Sequence, residues 1–340
     1  MKISVLLPVY NIENYLAATL ASLAEQTFRD FELVCVDDAS SDSTPEIMRG
    51  YAAKFPALRI IRNETNQRLA RTLNIGLKAC QGEYIFRLDG DDLLTPDALE
   101  KMAGALERFP RANAVVCDRL HINKAGEPFR VSLTLTEDYY LKKNMLFRTA
   151  FGGQPCLIER AVWFAAGLHS EFLRAASDRD IGLKMVRHIQ IAGLPERLYL
   201  YREHAANTTS GSGAYKNSAE FQEHFRRLTD RVFQPEDYVN DWAMVKRHKA
   251  LDFDYAGERN KKYANTILRC ALCLAARGQK KEALAEIKKA EFLAPRINYA
   301  AFAALIALGF RDLQKFWVNM NCWFNYAYDE NNIVELKTKS

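Results

Sequence analysis

Apolar runs the length of a strand alternate with amphipathic runs the length of a helix through residues 3–117, and this alternation restricts the fold more than any other feature. Strand patterns fall at 3–9, 31–36, 58–61, 84–88 and 114–117. Helical spacing between them predicts helices at 12–26, 45–55, 69–80 and 96–109. The last is expected to open with Thr95 as N-cap and Pro96 at its first helical position. Strands that are apolar throughout are covered on both faces. Joined by helices, they predict an α/β fold with a mostly parallel, Rossmann-like sheet flanked by helices. Such sheets bind ligands beyond the carboxyl ends of their strands. That rule selects residues 8–11, 37–43 and 89–92.

Beyond residue 120 the pattern is mixed. A β-hairpin is expected over 120–133, turned at Lys124-Ala125-Gly126, followed by helices at 158–167 and 178–187 and a strand at 198–202. The polar stretch Asn207-Thr-Thr-Ser-Gly-Ser-Gly213 reads as a linker. It divides the 340 residues into 1–210 and an α-helical region, 214–340, consistent with about 150 residues per domain. Within the second region, Ala275, Gly278, Ala283, Leu284, Ala290 and Pro295 have the spacing of one tetratricopeptide unit. An ordinary helical hairpin fits equally well, because such arrays need about three repeats. The apolar run 300–310 reads as a buried helix.

Hydrophobic residues at 49% and charged residues at 26% place the chain among globular proteins. The net charge of +5 resides in 214–340, which holds 21 Lys+Arg against 16 Asp+Glu, whereas 1–213 holds 26 of each. That surplus suits a solvated helical face, or an anionic partner such as a membrane surface or a glycan. No nucleic-acid-binding motif accompanies it, so a nucleic-acid partner is not expected. The seven cysteines, at 35, 80, 117, 156, 270, 273 and 322, are odd in number, and the first four lie in apolar runs. Reduced, buried thiols in a cytoplasmic protein fit better than a disulfide framework. Cys270 and Cys273 form a CxxC without a second metal-ligating pair. The opening MKISVLLPVYN lacks the long apolar core of a signal peptide. No run reaches the roughly 18 apolar residues of a membrane span. The expected location is cytoplasmic, with peripheral membrane association through the basic helical region as the further expectation.

Two acidic clusters carry the chemistry. Arg87-Leu88-Asp89-Gly90-Asp91-Asp92 crowds three carboxylates into a strand end and its turn. Like charges this close repel, and a divalent cation with oxygen ligands relieves them. The alternative is an acidic turn ahead of the helix at 96, although Asp97 already serves that helix's dipole. Asp37-Asp38 ends the second strand, with Asp42 or Ser43 placed to cap the next helix. A carboxylate at such a strand end can accept hydrogen bonds from a ribose or a base.

The ordered set Val5-Leu-Leu-Pro-Val-Tyr-Asn11, Leu20-Ala-Ser-Leu23, Gln26-Thr27, Val36-Asp-Asp-Ala-Ser40, Asn74-Ile-Gly76, Gly82-Glu-Tyr-Ile85, Leu88-Asp-Gly-Asp-Asp92 and Pro96-Asp97 resembles family 2 glycosyltransferases. The match covers residues 3–205. The resemblance implies a GT-A fold, a nucleotide-diphosphate sugar donor bound with Mg²⁺ or Mn²⁺, and inversion at the anomeric carbon. It implies that Pro8, Tyr10 and Asp38 line the nucleoside pocket, Asp38 on uracil for a UDP-sugar. Asp89 and Asp91 would form the DxD pair, Asp89 towards ribose or metal and Asp91 on the metal. In the place of the family's Glu-Asp base pair stands Ser177-Asp178-Arg179-Asp180. Asp178 is therefore the expected general base and Asp180 the fallback; a Ser177-capped helix with a first-turn acid is the plain alternative. Tyr201-Arg202-Glu203-His204 resembles the family's strand-end element over the diphosphate, with Arg202 and His204 as donor contacts. Arg68 stands where the family usually has Gly, and Phe151-Gly-Gly-Gln-Pro155 falls where relatives contact the acceptor.

The expected activity is inverting transfer of a sugar to a hydroxyl of a glycan or glycolipid acceptor, in bacterial surface-polysaccharide or lipooligosaccharide synthesis. One rival is a catalytically inactive nucleotide-sugar-binding scaffold, for which the Glu-to-Ser departure at 177 speaks. The other is a sugar nucleotidyltransferase, which usually carries a Gly-rich basic loop where Pro8-Val-Tyr-Asn11 stands here.

Overall fold

The computed structural model describes residues 2–134, 155–204, 218–232, 242–249, 256–295, 303 and 333–335. In chain order the elements are β1 (Ile3–Val9), α1 (Glu13–Ala24), β2 (Phe31–Asp37), α2 (Thr44–Gly50), β3 (Leu58–Arg62), α3 (Arg68–Ala79), β4 (Tyr84–Arg87), β5 (Leu93–Leu94), α4 (Ala98–Arg108), β6 (Ala114–Ile122), β7 (Pro128–Ser132) and β8 (Cys156–Glu159). There follow α5 (Arg160–Ala165), α6 (Ser177–Met185), β9 (Ile191–Arg202), α7 (Ala219–Val232), α8 (Trp242–Lys249), α9 (Ala256–Ala276), α10 (Lys280–Leu293) and β10 (Ile333–Glu335). Of the run 151–155 expected near the acceptor, residues 151–154 lie outside the described residues, as do the expected linker 207–213, the apolar run 300–310 except residue 303, and Cys322.

β1 is the axis of the sheet. It pairs in parallel with β2 and β4, so that Val5 lies beside both Leu33 and Phe86. β3 extends this parallel block. On the other side β8 runs antiparallel between β4 and β6, and β6 runs parallel to β9. The hairpin partner β7 and then β10 complete that edge.

Every residue of β1 is buried, because alternate side chains enter two different cores. Ile3, Val5, Leu7 and Val9 join α1, Met48 and α4 on one face. Leu6 joins Val34, Val36, Ile85 and the α3 residues Leu73 and Leu77 on the other. The second core continues through Trp163, Ile181 and Met185 into Phe221, Phe225, Ile267, Leu274 and Ile287 of the C-terminal helices. Helices α7, α9 and α10 thus share apolar packing with the sheet. α9 and α10 form the expected helical hairpin, turned at Gly278 with φ +82.

Five expectations need correction. α4 begins at Ala98 with Asp97 as N-cap, not at Pro96 with Thr95 as cap. Thr95 is held in the preceding turn, where its N–H donates to Leu198 O (3.0 Å) and its carbonyl accepts Gln26 Nε2 (2.7 Å). The helix expected at 45–55 ends at Gly50 and continues only as a 3₁₀ turn at Ala52–Lys54; Pro56 disfavours helical backbone at Phe55. The helix expected at 158–167 is strand to Glu159 and helix only for Arg160–Ala165. Ile158 and Glu159, expected to open the helix, instead end a strand that fills a slot between β4 and β6, and ladder pairing overrides their helical pattern. The strand expected at 198–202 is the end of a strand beginning at Ile191. β10 is also a strand in a region read as helical.

Gly82 enters β4 against β1. A Cβ there would lie 2.6 Å from Ser4 N and 2.8 Å from the Ile3 carbonyl carbon. Backbone cannot yield as a side-chain tip can, so Gly82→Ala is expected to destabilise the fold by about 1–3 kcal/mol. A lowered urea midpoint with an unchanged slope would show this.

Candidate active site at the strand ends

The parallel block aligns the ends of β1, β2 and β4 along one edge, and four polypeptide turns there lie in the left-handed region. Asn11 has φ 48, Ala39 φ 63, Arg68 φ 66 and Ala176 φ 58. Left-handed backbone costs a non-glycine residue roughly 1–2 kcal/mol, and such strain concentrates where a site demands a particular chain path. It also gives the family's glycine at position 68 a reason, since glycine adopts that backbone freely. Arg68→Gly is accordingly expected to raise the melting temperature by a few degrees, read by calorimetry.

The first two turns cap each other. Asn11 N–H donates to Ser40 Oγ (3.0 Å) and Ser41 N–H to Asn11 Oδ1 (2.8 Å). Asp42 Oδ2 accepts Glu13 N–H at the start of α1 (3.1 Å), while Glu13 Oε2 accepts Ser43 N–H at the start of α2 (2.9 Å). Asp42 Oδ1 also accepts Thr44 N–H at 3.0 Å. Beneath this frame, Asp37 takes Ser40 N–H (2.9 Å) and faces Arg62 at 3.3 Å. Asp38 is buried; its Oδ1 accepts Asn63 Nδ2 and Gln67 N–H, both at 2.7 Å. Pro8 is buried beside it on β1, and Tyr10 stands 50% exposed at the strand end.

The three acids after β4 have separate fates. Asp92, 1% exposed, accepts Tyr199 O–H (2.5 Å) and Arg202 N–H (2.7 Å) and ties this turn to β9. Burial, then Asp91 and Asp89, pushes its carboxyl well above the usual range. It is a structural acid, so the excess charge expected of the cluster falls on Asp89 and Asp91. Gly90 between them leaves room for Val9 and Ile12, which a Cβ would meet at 3.1 and 3.2 Å. Asp91 Oδ2 meets His204 Nε2 at 2.9 Å. Its pKa is raised, first by burial and then by Asp89. Tyr15 stacks on His204 at 4.6 Å and lies under the Arg202 guanidinium at 5.3 Å. Arg202 itself is 5% exposed and directs its N–H groups to the carbonyls of Asp91, Asn123 and Lys124 at 2.9, 3.4 and 3.2 Å.

Asp89 is gripped by Arg87, whose Nε and Nη2 reach its two oxygens at 3.0 and 3.1 Å. The remaining arm of the guanidinium reaches Asp178 Oδ1 at 2.8 Å. Burial would lower the Arg87 pKa; the two carboxylates overcome it and hold it above its usual value. The structure therefore brings Asp178 to the acids that follow β4. Asp178 lies in the first turn of α6, and the N-cap is Ala176 rather than Ser177, with no side-chain capping bond.

Asp180 is placed differently. It is fully buried and accepts Ser170 N–H (3.0 Å), Lys184 Nζ (2.7 Å) and His224 Nε2 (3.0 Å). Burial would raise its pKa, yet these donors hold it below the usual carboxylate value. It anchors α6 to the preceding loop and to α7 and has no oxygen turned towards the other acids.

Sequence reasoning passed over Arg87, Tyr199 and His169. Arg87 and Tyr199 were visible only as a strand-end cation and a strand aromatic. His169 is buried in the loop before α6, where its backbone N–H and C=O pair with the Asn74 side chain, both at 3.0 Å. Its Nδ1 is 3.3 Å from Ser177 O. Burial first, then Arg87, lowers its pKa from 6.5 to about 4. The folded state thus favours neutral His169. Its contribution is present above the unfolded pKa of 6.5 and is lost as pH falls towards 4. Urea unfolding between those pH values should show a steeper loss of stability for the wild type than for His169→Gln; parallel curves would refute it.

Residues 4–165 match the family model described as Glycosyl transferase family 2. They belong to that family. The chain is 44% identical over 126 residues to the putative glycosyltransferase EpsE of Bacillus subtilis, spanning 37% of this chain and 45% of EpsE. It is 28% identical over 248 residues to the poly(ribitol-phosphate) β-N-acetylglucosaminyltransferase TarS of Staphylococcus aureus, spanning 68% of this chain and 40% of TarS. The chain thus spans less than half the length of either relative. The crystal structure of TarS 1-349 in complex with UDP-GlcNAc superposes with a TM-score of 0.58 at 20% identity, covering 91% of this chain and 92% of that one. This likeness supports the GT-A type α/β fold expected from the sequence.

Proposed function

We propose that this chain is an inverting glycosyltransferase that moves a sugar from a nucleotide-diphosphate sugar, a UDP-sugar, to an acceptor hydroxyl. The observation that carries the reading is the meeting of Asp178 with Asp89 on Arg87, beside Asp91 and His204. Arg87, at the end of β4, joins the acids of that strand end to Asp178, 91 residues further along the chain.

In this reading Tyr10, Pro8 and Asp38 receive the nucleoside. Asp38 is rigid, and its Oδ2 is the oxygen left for a base N–H. Asp178 takes the proton of the acceptor hydroxyl through an oxygen not bonded to Arg87. The hydroxyl oxygen then bonds to the anomeric carbon from the face opposite the leaving group. The bond from that carbon to the diphosphate oxygen breaks, and its electron pair leaves with the nucleoside diphosphate.

The residues present suit a Mg²⁺ or Mn²⁺ ion. Asp91 is desolvated beside a second carboxylate and an imidazole, and such cations are commonly held by one or two carboxylates plus substrate phosphates. Asp91 and Asp89 would hold the ion, with His204 bonded to Asp91 Oδ2. When bound, it supplies positive charge to the departing diphosphate. Among the described residues no group of three or more His, Cys, Asp or Glu side chains is arranged to hold a metal ion.

TarS is crystallised with UDP-GlcNAc and is named for transfer of N-acetylglucosamine to poly(ribitol phosphate), which makes UDP-N-acetylhexosamines the first donors to try. A glycan or glycolipid of the bacterial surface is the acceptor class we assign. No described helix is long and apolar enough to cross a membrane; the excess of basic residues in 214–340 is the feature that would bring the chain to an anionic surface.

A panel of nucleotide sugars, followed by release of nucleoside diphosphate with and without Mn²⁺, tests the reading. Excess EDTA should abolish turnover and Mn²⁺ restore it. Asp91→Asn should lower turnover at least ~10²-fold with a near-unchanged melting temperature. Asp178→Asn should lower transfer by roughly 10²–10⁴-fold while nucleotide binding by calorimetry persists. Asp180→Asn should instead lower the melting temperature, as loss of a buried, multiply bonded acid does. A stable Asp180→Asn enzyme slower than Asp178→Asn would move the base.

A further inference from the structure

Arg87 does more than neutralise the acid two residues after it. Its guanidinium is 3% exposed at the end of β4, so its position is set by the sheet. Two N–H groups on one side fork onto Asp89, and the opposite arm donates to Asp178 Oδ1. The planar fork is rigid and delocalised, which a lysine ammonium is not. Asp178 otherwise sits in the first turn of α6, 35% exposed, with Arg87 as its one ion-pair partner among the described residues. Ala176 and the buried Ser177 fix the backbone there, but neither touches the Asp178 carboxylate. Without a cation between them, Asp89 and Asp178 would repel and the carboxylate would turn outward.

We propose that Arg87 is a positioning residue for the transfer: it fixes one oxygen of Asp178 against the donor-side acid Asp89 and so presents the other to the acceptor hydroxyl. The base and the donor are thereby held in one frame by a single side chain. This rests on the transferase reading above, and it assigns Arg87 no contact with substrate.

A double-mutant cycle on the full chain tests it, with wild type, Arg87→Lys, Asp178→Asn and the double variant. Transfer is followed at saturating donor with Mn²⁺, and thermal unfolding accompanies each variant. Arg87→Lys should lower kcat by about 10–100-fold, the scale of a misplaced reacting group. In the Asp178→Asn background the same substitution should lower it less than about threefold, because residues acting through one another are not additive. Arg87→Gln, run through the same cycle, serves should the lysine variant fail to fold. Equal losses in both backgrounds, with Asp178→Asn itself slow, would overturn the positioning role and leave the transferase reading intact. An Asp178→Asn enzyme as fast as wild type would overturn both.

Discussion

Carboxylates gathered at one edge of a parallel sheet are the constraint around which this structure is arranged. Parallel pairing brings the ends of β1, β2 and β4 together; β2 ends in Asp37, and Asp89, Asp91 and Asp92 follow the end of β4. Each acid has a specific answer. Asp37 faces Arg62, Asp38 takes two amide N–H groups, Asp89 has Arg87 and Asp92 has Tyr199. Asp91 has an imidazole, which is neutral unless protonated. That leaves the edge short of positive charge at one place, and the functional reading begins there.

The C-terminal helices belong to the same argument. His224 of α7 completes the hydrogen bonding of Asp180, and Arg187 Nε donates to the last carbonyl of α7 at 2.8 Å. α6, which carries Asp178, is thus braced from behind by residues that lie beyond the family match. Removing them would loosen α6 and with it the position of Asp178.

Much of the site was legible because strand ends announce themselves. An apolar run that stops at Asp37 or Asp89 fixes both the strand and the edge on which the acid stands. Asp178 was reachable only through the family motif, since a first-turn acid looks like any helix start. Less legible was everything set by pairing at long range. Ile158 and Glu159 read as the start of a helix, yet they belong to a strand that fills a gap between two others. Asp92 resembled its neighbours in sequence, and only the Tyr199 hydroxyl 107 residues away makes it structural. In sequence Arg87 has no assigned role in the acidic run, and only α6 brought beside it shows the Asp178 carboxylate it bonds.

The pairing of β10 with β7 has a consequence for assembly. Ile333 lies across from Ser132, about two hundred residues earlier in the chain. While the polypeptide emerges from a ribosome, the β7 edge is synthesised long before its partner. During that interval it is an open row of backbone donors and acceptors, a template that other chains can join. Contacts this distant in sequence also form slowly. The vulnerable period of this protein is therefore its synthesis, and a chaperone that shields the edge until residue 333 appears would raise the yield of folded chain more than any stabilisation of the finished core.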